Sequence, residues 1–181
     1  MTKTRIGLLF CFFLVFIIGL VLVSRERTPT LNESALISFA TSTPSNLPVL
    51  KDRLPPFTGI VKWWNTPNQQ AITPEQLQGN VILIDFWTYT GINSIRPQSV
   101  LRKWQELYEK DGLTIIGVHT PEFAFEKDAK NVERAIQKAK LTFPVALDSD
   151  YGTWEAYGNK HWPTLYLFDR QGRLRYTSIG E

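Results

Sequence analysis

The alternation of apolar and polar positions divides the chain into three unlike parts. Residues 6–23 read IGLLFCFFLVFIIGLVLV without a single charge. As a helix rising 1.5 Å per residue that run is ~27 Å long, enough to span the hydrocarbon of a bilayer with little tilt. It ends in Val21-Leu22-Val23-Ser24-Arg25, with no small-x-small cleavage pattern, so the expectation is an uncleaved signal anchor. Residues 24–54 are rich in Ser, Thr, Pro and Asn, as in Ala40-Thr41-Ser42-Thr43-Pro44-Ser45-Asn46. Such composition buries too little apolar surface to offset chain entropy, and a flexible linker is expected, with room for a short helix near Ser34 to Ala40.

From Pro55 onward two apolar periods alternate. Val81-Ile82-Leu83-Ile84-Asp85-Phe86 is a run of mostly branched residues after Gly79-Asn80, the pattern of a buried strand. Apolar positions 95, 100, 101, 104, 107 and 108 then follow a helical spacing over Ile95 to Glu109, stopped by Asp111-Gly112. Leu113 to Val118 predicts a strand, and Asp128 to Lys140 a helix with Val132, Ala135, Ile136 and Ala139 on one face. Phe143 to Leu147 predicts a strand and Tyr151 to Tyr157 a short helix. Leu165 to Phe168 and Arg173 to Tyr176 form a hairpin across Asp169-Arg170-Gln171-Gly172. Strand–helix alternation closed by a hairpin implies an α/β sheet with an antiparallel edge.

Charge narrows the partners. The net +3 sits in residues 1–54, with six basic and three acidic side chains. Residues 55–181 carry 14 Lys or Arg against 14 Asp or Glu. A neutral domain without a basic stripe is a poor nucleic-acid binder. Lys3 and Arg5 before the apolar run are balanced by Arg25 and Arg27 after it. The N-terminal amine and Glu26 tip the balance toward residues 1–5 being cytoplasmic and the domain extracytoplasmic. Cys11 is the one cysteine and lies inside the apolar run, so neither an intrachain disulfide nor a cysteine-based zinc site can form.

The segments Asp85-Phe86-Trp87-Thr88-Tyr89-Thr90, Gly117-Val118-His119-Thr120-Pro121-Glu122-Phe123, Ala156-Tyr157-Gly158-Asn159 and Trp162-Pro163-Thr164 stand in this order over Phe57 to Glu181. Together they resemble the thioredoxin superfamily, in its membrane-anchored TlpA and DipZ-like branch. The resemblance implies a thioredoxin-like fold and thiol–disulfide oxidoreductase chemistry in the periplasm or at the cell surface. In that family Cys-x-x-Cys follows the Trp-Thr-Tyr-Thr segment, and here it is Gly91-Ile92-Asn93-Ser94. A thiolate at the first position attacks a disulfide and the second thiol resolves the mixed disulfide. Gly91 has no side chain, and the Ser94 hydroxyl neither ionises usefully near neutral pH nor forms a disulfide.

The resemblance also implies roles for neighbouring positions. Asp85 matches a buried carboxylate that moves a proton to or from the resolving thiol. Glu122 matches an acidic residue near the active site. Pro163 matches a cis-proline, beside which the backbone of Trp162 pairs with an extended substrate. Trp87 and Trp162 are expected to rim that groove. The family's last strand is followed by a helix covering one sheet face, whereas this sequence stops at Ile179-Gly180-Glu181, so uncovered apolar sheet is expected.

Each position also has an ordinary reading. Without a thiol to serve, Asp85 is a buried carboxylate with a raised pKa, and Glu122 an acid favourable to a helix start. Ser94 and His161 suggest a hydrolase pair, but no carboxylate near His161 in sequence would orient a base. His119 is expected to satisfy a local hydrogen bond. No metal or cofactor is implied. Trp104 is expected in the core, and one of Trp63 and Trp64 exposed, because neighbours on a strand point to opposite faces. Three functional readings follow. The first is a membrane-tethered, redox-inactive domain that binds an extended polypeptide or periplasmic protein. The second is a thiol–disulfide oxidoreductase, if the native gene has Cys at 91 and 94. The third is a truncated remnant.

Overall fold

The computed structural model describes residues 47–180. The anchor expected at 6–23 and most of the expected linker lie outside the described residues. Among the described residues no helix is long and apolar enough to cross a membrane. The folded unit begins at Leu47 rather than Pro55. Leu50 N–H donates to Leu174 O (2.8 Å), Leu174 N–H donates to Lys51 O (2.8 Å), and Leu54 is buried. Residues 47–54, expected in the linker, are therefore laid onto the sheet.

The element order is β1 (Lys62–Trp64), β2 (Val81–Trp87), α1 (Ile92–Ile95), α2 (Gln98–Tyr108), β3 (Leu113–His119), α3 (Ala129–Ala139), β4 (Val145–Leu147), α4 (Gly152–Tyr157), β5 (Thr164–Phe168) and β6 (Leu174–Ile179). One six-stranded sheet runs β1-β4-β3-β2-β5-β6. Strands β2 and β3 pair in parallel from Val81↔Leu113 to Trp87↔His119, and β3 pairs in parallel with β4. The β1–β4, β2–β5 and β5–β6 pairs are antiparallel. The sheet is thus mixed, as the alternation and closing hairpin predict.

Because side chains alternate along a strand, β2 feeds two cores. Ile82, Ile84 and Phe86 pack with Trp63, Ile116, Val118, Tyr157, Tyr166 and Phe168 on one face. Leu83 and Trp87 pack with Trp64, Leu101, Ile115, Val132, Ile136 and Phe143 on the other. Trp63 and Trp64 do point to opposite faces, but both are buried, since both faces of the sheet are covered where β1 lies.

The helix expected as one piece over 95–109 is broken at Pro97, which has no N–H to donate into a continuing ladder. Its apolar stripe also points differently from expectation. Leu101 is buried together with Gln98 and Gln105, while Val100, Trp104, Leu107 and Tyr108 are exposed. Trp104, at 40% exposure, is no core residue. With Tyr108, Leu83, Leu113, Leu165, Leu167, Tyr176 and Ser178 it lines an apolar groove of about 470 Å³ between α2 and the β5–β6 hairpin.

Two local devices fix the ends of elements near the site. Asp128 caps α3 by accepting from Lys130 N–H (2.8 Å), and Lys140 ends it in the left-handed region. At α4 the Thr153 hydroxyl donates to Thr58 O (2.8 Å) and accepts from Thr58 N–H (2.9 Å), drawing the 58–59 backbone against Gly152. A Cβ on Gly152 would stand 2.8 Å from Thr58 O, which is backbone and cannot swing away. Gly152→Ala is therefore expected to cost about 1–3 kcal/mol of stability, as overpacking does, measured as a lowered midpoint in chemical denaturation. An unchanged midpoint would show that the 58–59 segment yields freely.

Candidate functional site

The site lies where β2 and β3 end, at the carboxyl edge of the parallel strands. Residues Thr88 to Thr90 lead from β2 to Gly91, after which α1 begins. A Cβ built on Gly91 would stand 3.7 Å from the Ser94 Cβ, 3.4 Å from Ser94 Oγ and 3.1 Å from Thr88 Cγ2. Disulfide-linked residues keep Cβ atoms roughly 3.5–4.5 Å apart. The backbone therefore holds positions 91 and 94 at a spacing that suits a disulfide, although neither carries sulfur. Ser94 is buried and its hydroxyl has no hydrogen-bond partner. It has no base beside it. His161, the other half of the hydrolase pair considered above, is exposed.

Beneath this turn Asp85 is fully buried on β2. Gln98 Nε2 donates to Asp85 Oδ2 (2.7 Å) and to the Ser94 carbonyl (3.0 Å), joining the carboxylate to α1. Sequence reasoning missed Gln98. Its signal was faint: a polar residue one turn before Leu101, on the side of α2 that proves to be buried. Desolvation raises the Asp85 pKa to about 7, against the opposing pull of the Gln98 hydrogen bond.

The acidic residue that organises the neighbouring loop is Glu126, not Glu122. The Glu122 side chain is exposed, and it is its backbone N–H that donates to Glu126 Oε2 (2.6 Å). Phe123 N–H donates to the same oxygen (3.0 Å). The other oxygen, Oε1, accepts from Thr88 Oγ1 (2.5 Å), Thr90 Oγ1 (2.6 Å) and Thr90 N–H (3.3 Å). Burial pushes this carboxyl up, but the hydrogen bonds from Thr88, Thr90, Phe123 and Glu122 outweigh it and hold its pKa below the ordinary value. One buried carboxylate thus ties the β2–α1 turn to the loop after β3.

His119 closes the same region from below. Its Nε2 accepts from Tyr89 N–H (3.3 Å), the local bond expected for it, and this places the proton of the neutral ring on Nδ1. Desolvation lowers its pKa to about 4, the Glu126 charge only partly opposing.

On the far side the Trp162–Pro163 peptide bond is cis, as the resemblance implies. Pro163 is buried and Trp162 half-buried. The Trp162 indole N–H donates to Thr120 O (3.0 Å) and its ring leans on Trp154 with centroids 4.2 Å apart. Trp162 is therefore held partly open to solvent beside the cis-proline. Trp87 is not: it is 1% exposed, belongs to the core with Leu101 and Phe143, and meets His119 edge to face at 5.2 Å. As the last residue of β2 its side chain alternates with Phe86 into the α2–α3 core, away from the groove. Gly91, Ser94 and Asp85 meet at the turn after β2, Trp162 and Pro163 lie on the cis-proline loop, Glu122 lies beside the turn through its backbone, and Trp87 is in the core. Among the described residues no cluster of His, Cys, Asp and Glu could hold a metal ion.

Asp85 and His119 pull stability in opposite directions with pH. Folded Asp85 keeps a proton that the unfolded chain loses above about pH 4, so its contribution is complete below that pH and is lost as pH rises through 7. The unfolded chain protonates His119 below about pH 6.5, and the fold resists this down to about 4, so stability falls as pH drops across that window. Asp85→Asn removes the first slope. Relative to wild type it is expected to gain stability between about pH 4 and 7, levelling near about 4 kcal/mol, measured by denaturant titration across pH. A difference that does not vary with pH would mean that Asp85 is solvated.

Comparison with known proteins bears out the resemblance. Residues 50–181 match the Redoxin family model. Protein DipZ of Mycobacterium bovis is 43% identical over 127 residues, which is 70% of this chain and 18% of that protein. The thiol-disulfide oxidoreductase YkuV of Bacillus subtilis is 28% identical over 132 residues, 72% of this chain and 86% of that one. The solution structure of a thioredoxin-like protein in its oxidised form superposes with a TM-score of 0.66 at 28% identity, covering 73% of this chain and 86% of that one. The chain thus spans under a fifth of the length of DipZ while matching most of YkuV. The match over residues 50–181, together with a mixed sheet of this order, a turn spaced for paired thiols and a cis-proline loop beside it, shows that the chain belongs to the Redoxin family, with a thioredoxin-like fold.

Proposed function

We propose that this member of the family has no thiol–disulfide exchange of its own and retains recognition of an extended polypeptide along the Trp162–Pro163 loop. The observation that carries the reading is the pair Gly91 and Ser94, which stand at disulfide spacing without a thiol. Exchange needs a thiolate to attack and a second thiol to resolve, and no residue of 47–180 is a cysteine. Around the vacant chemistry the framework is intact: Glu126 clamps the turn, Gln98 pins Asp85, and Trp162 is fixed to Thr120. A half-exposed tryptophan beside a cis-proline loop suits an extended chain. The apolar run 6–23 supports membrane tethering, and the charges about it support an extracytoplasmic domain.

The wild-type chain is expected to give no acceleration of insulin reduction by dithiothreitol over the uncatalysed rate. The double variant Gly91→Cys/Ser94→Cys is expected to close a disulfide, seen as loss of both free thiols in a thiol titration, and to gain insulin reduction. The 3.1 Å approach to Thr88 Cγ2 asks only that a methyl group shift by a few tenths of an ångström. Catalysis by the wild type would sink the redox-inactive reading.

The binding half is tested with reduced, carboxymethylated α-lactalbumin, a permanently unfolded chain. Wild type is expected to bind it, and Trp162→Ala to weaken binding by about 2 kcal/mol, roughly thirtyfold, in isothermal titration. Equal affinity for both proteins would place binding elsewhere.

A further inference from the structure

After β3 the chain turns through Pro121 and presents two phenylalanines on a tight loop. Pro121 is buried, while Phe123 and Phe125 are 49% and 55% exposed. Their rings stack almost parallel, 3° apart with centroids at 5.6 Å. Phe125 meets Tyr89 at 6.4 Å, and Tyr89 stacks on His119 at 5.4 Å. An aromatic ladder therefore climbs from the buried His119 to two rings in solvent.

Isolated exposed apolar residues need no explanation, but this pair is held with unusual care. Phe123 N–H is fixed on Glu126, whose carboxylate is wholly buried. Phe125 O accepts from Asn131 Nδ2 (3.0 Å) and from the Tyr89 hydroxyl (3.3 Å). Glu126 also accepts from Thr88 and Thr90, so one carboxylate ties the Phe123 backbone to the turn before Gly91. The same loop is bonded to the groove's other wall. Trp162 donates to Thr120 O, and the Tyr151 hydroxyl donates to Pro121 O. Ile92, exposed just past Gly91, adds a third apolar side chain beside the turn.

We infer that the Phe123–Phe125 pair is a side-chain subsite of the polypeptide groove, taking an aromatic or branched aliphatic residue of the bound chain. The inference rests on the polypeptide-binding reading and adds selectivity to it. Rings already ordered by the Glu126 bonds lose little freedom on binding, so their burial converts efficiently into affinity. The occupant is a polypeptide rather than a lipid surface on grounds of charge. The loop's exposed Glu122 and Asp128 balance Lys127 and Lys130, and Lys127 is already near Asp150 (3.6 Å), which leaves no positive surplus to meet anionic headgroups.

The test is an array of short overlapping peptides covering α-lactalbumin, probed with the full 181-residue chain and three variants. Wild type is expected to select peptides rich in Phe, Tyr, Trp, Leu and Ile. Phe123→Ser/Phe125→Ser is expected to lose that selection and to bind the best aromatic peptide roughly tenfold more weakly in solution. Phe123→Leu/Phe125→Leu is expected to restore it, which a collapsed loop would not allow, and circular dichroism melts of both variants check the fold. Selection unchanged in the Ser variant, with binding still lost in Trp162→Ala, would overturn the subsite and leave the groove standing. Absence of any binding by the wild type would overturn both.

Discussion

Seven consecutive rungs of parallel pairing between β2 and β3, buried on both faces, are the constraint from which the rest of this domain follows. A strand covered on both sides must carry apolar residues in both registers, and Val81 to Trp87 does so at every position but one. The exception is Asp85. Its partner in the ladder is Gly117, so nothing on β3 offers a hydrogen bond from a side chain, and the amide of Gln98 has to reach in from α2. Because both strands stop at the same level, Trp87 beside His119, the two loops that leave them are born as neighbours. Glu126 then needs only to accept what those loops donate.

Seen this way, the site is an edge of the scaffold with its supports in place and Gly91 and Ser94 at the turn they support. The supports are polar and buried, which is costly unless each group is satisfied. Glu126 meets that condition with five donors, and Asp148 meets it at the other side by accepting from Thr120 Oγ1, Thr153 N–H and Trp154 N–H. The Asp85 corner meets it less well. Ser94 Oγ and Gln98 Oε1 have no partner, and Asp85 is left to manage its own desolvation by holding a proton to about pH 7. The unmet polarity lies in the corner next to the missing thiols.

The sequence made the architecture legible wherever a period ran long enough. The β2 and β3 runs, α3 and the hairpin at Asp169 all stand within a residue or two of expectation, apart from the longer β6. The thiol-free turn was legible without any geometry. What was not legible depends on which neighbour covers which face. The stripe Val100, Trp104, Leu107 and Tyr108 has the spacing of a core-facing helix, yet α2 buries its other side through Gln98, Leu101 and Gln105. Periodicity reports that a face is apolar, not what lies against it. Trp87 was misplaced for a related reason, since its position at a strand end says nothing of which face it takes. Glu122 and Glu126 are both acids in one short loop, and the donors of Thr88, Thr90 and the 122–123 backbone decide which is enclosed.

The stretch laid along β6 bears on how the domain carries load. Arg175 is bound to Asp169 and donates to the Leu47 carbonyl, while Leu50 and Lys51 are joined to Leu174. These bonds lie near the start of β2, at the opposite end of that strand from Gly91. A pull delivered at Leu47 would open them one after another, as a zip is opened, before it reached the β2–β3 ladder. Peeling away in that order needs little force per step and spends extension instead. These bonds share no residue with the Glu126 clamp around the Gly91 turn, so parting them would leave that clamp closed.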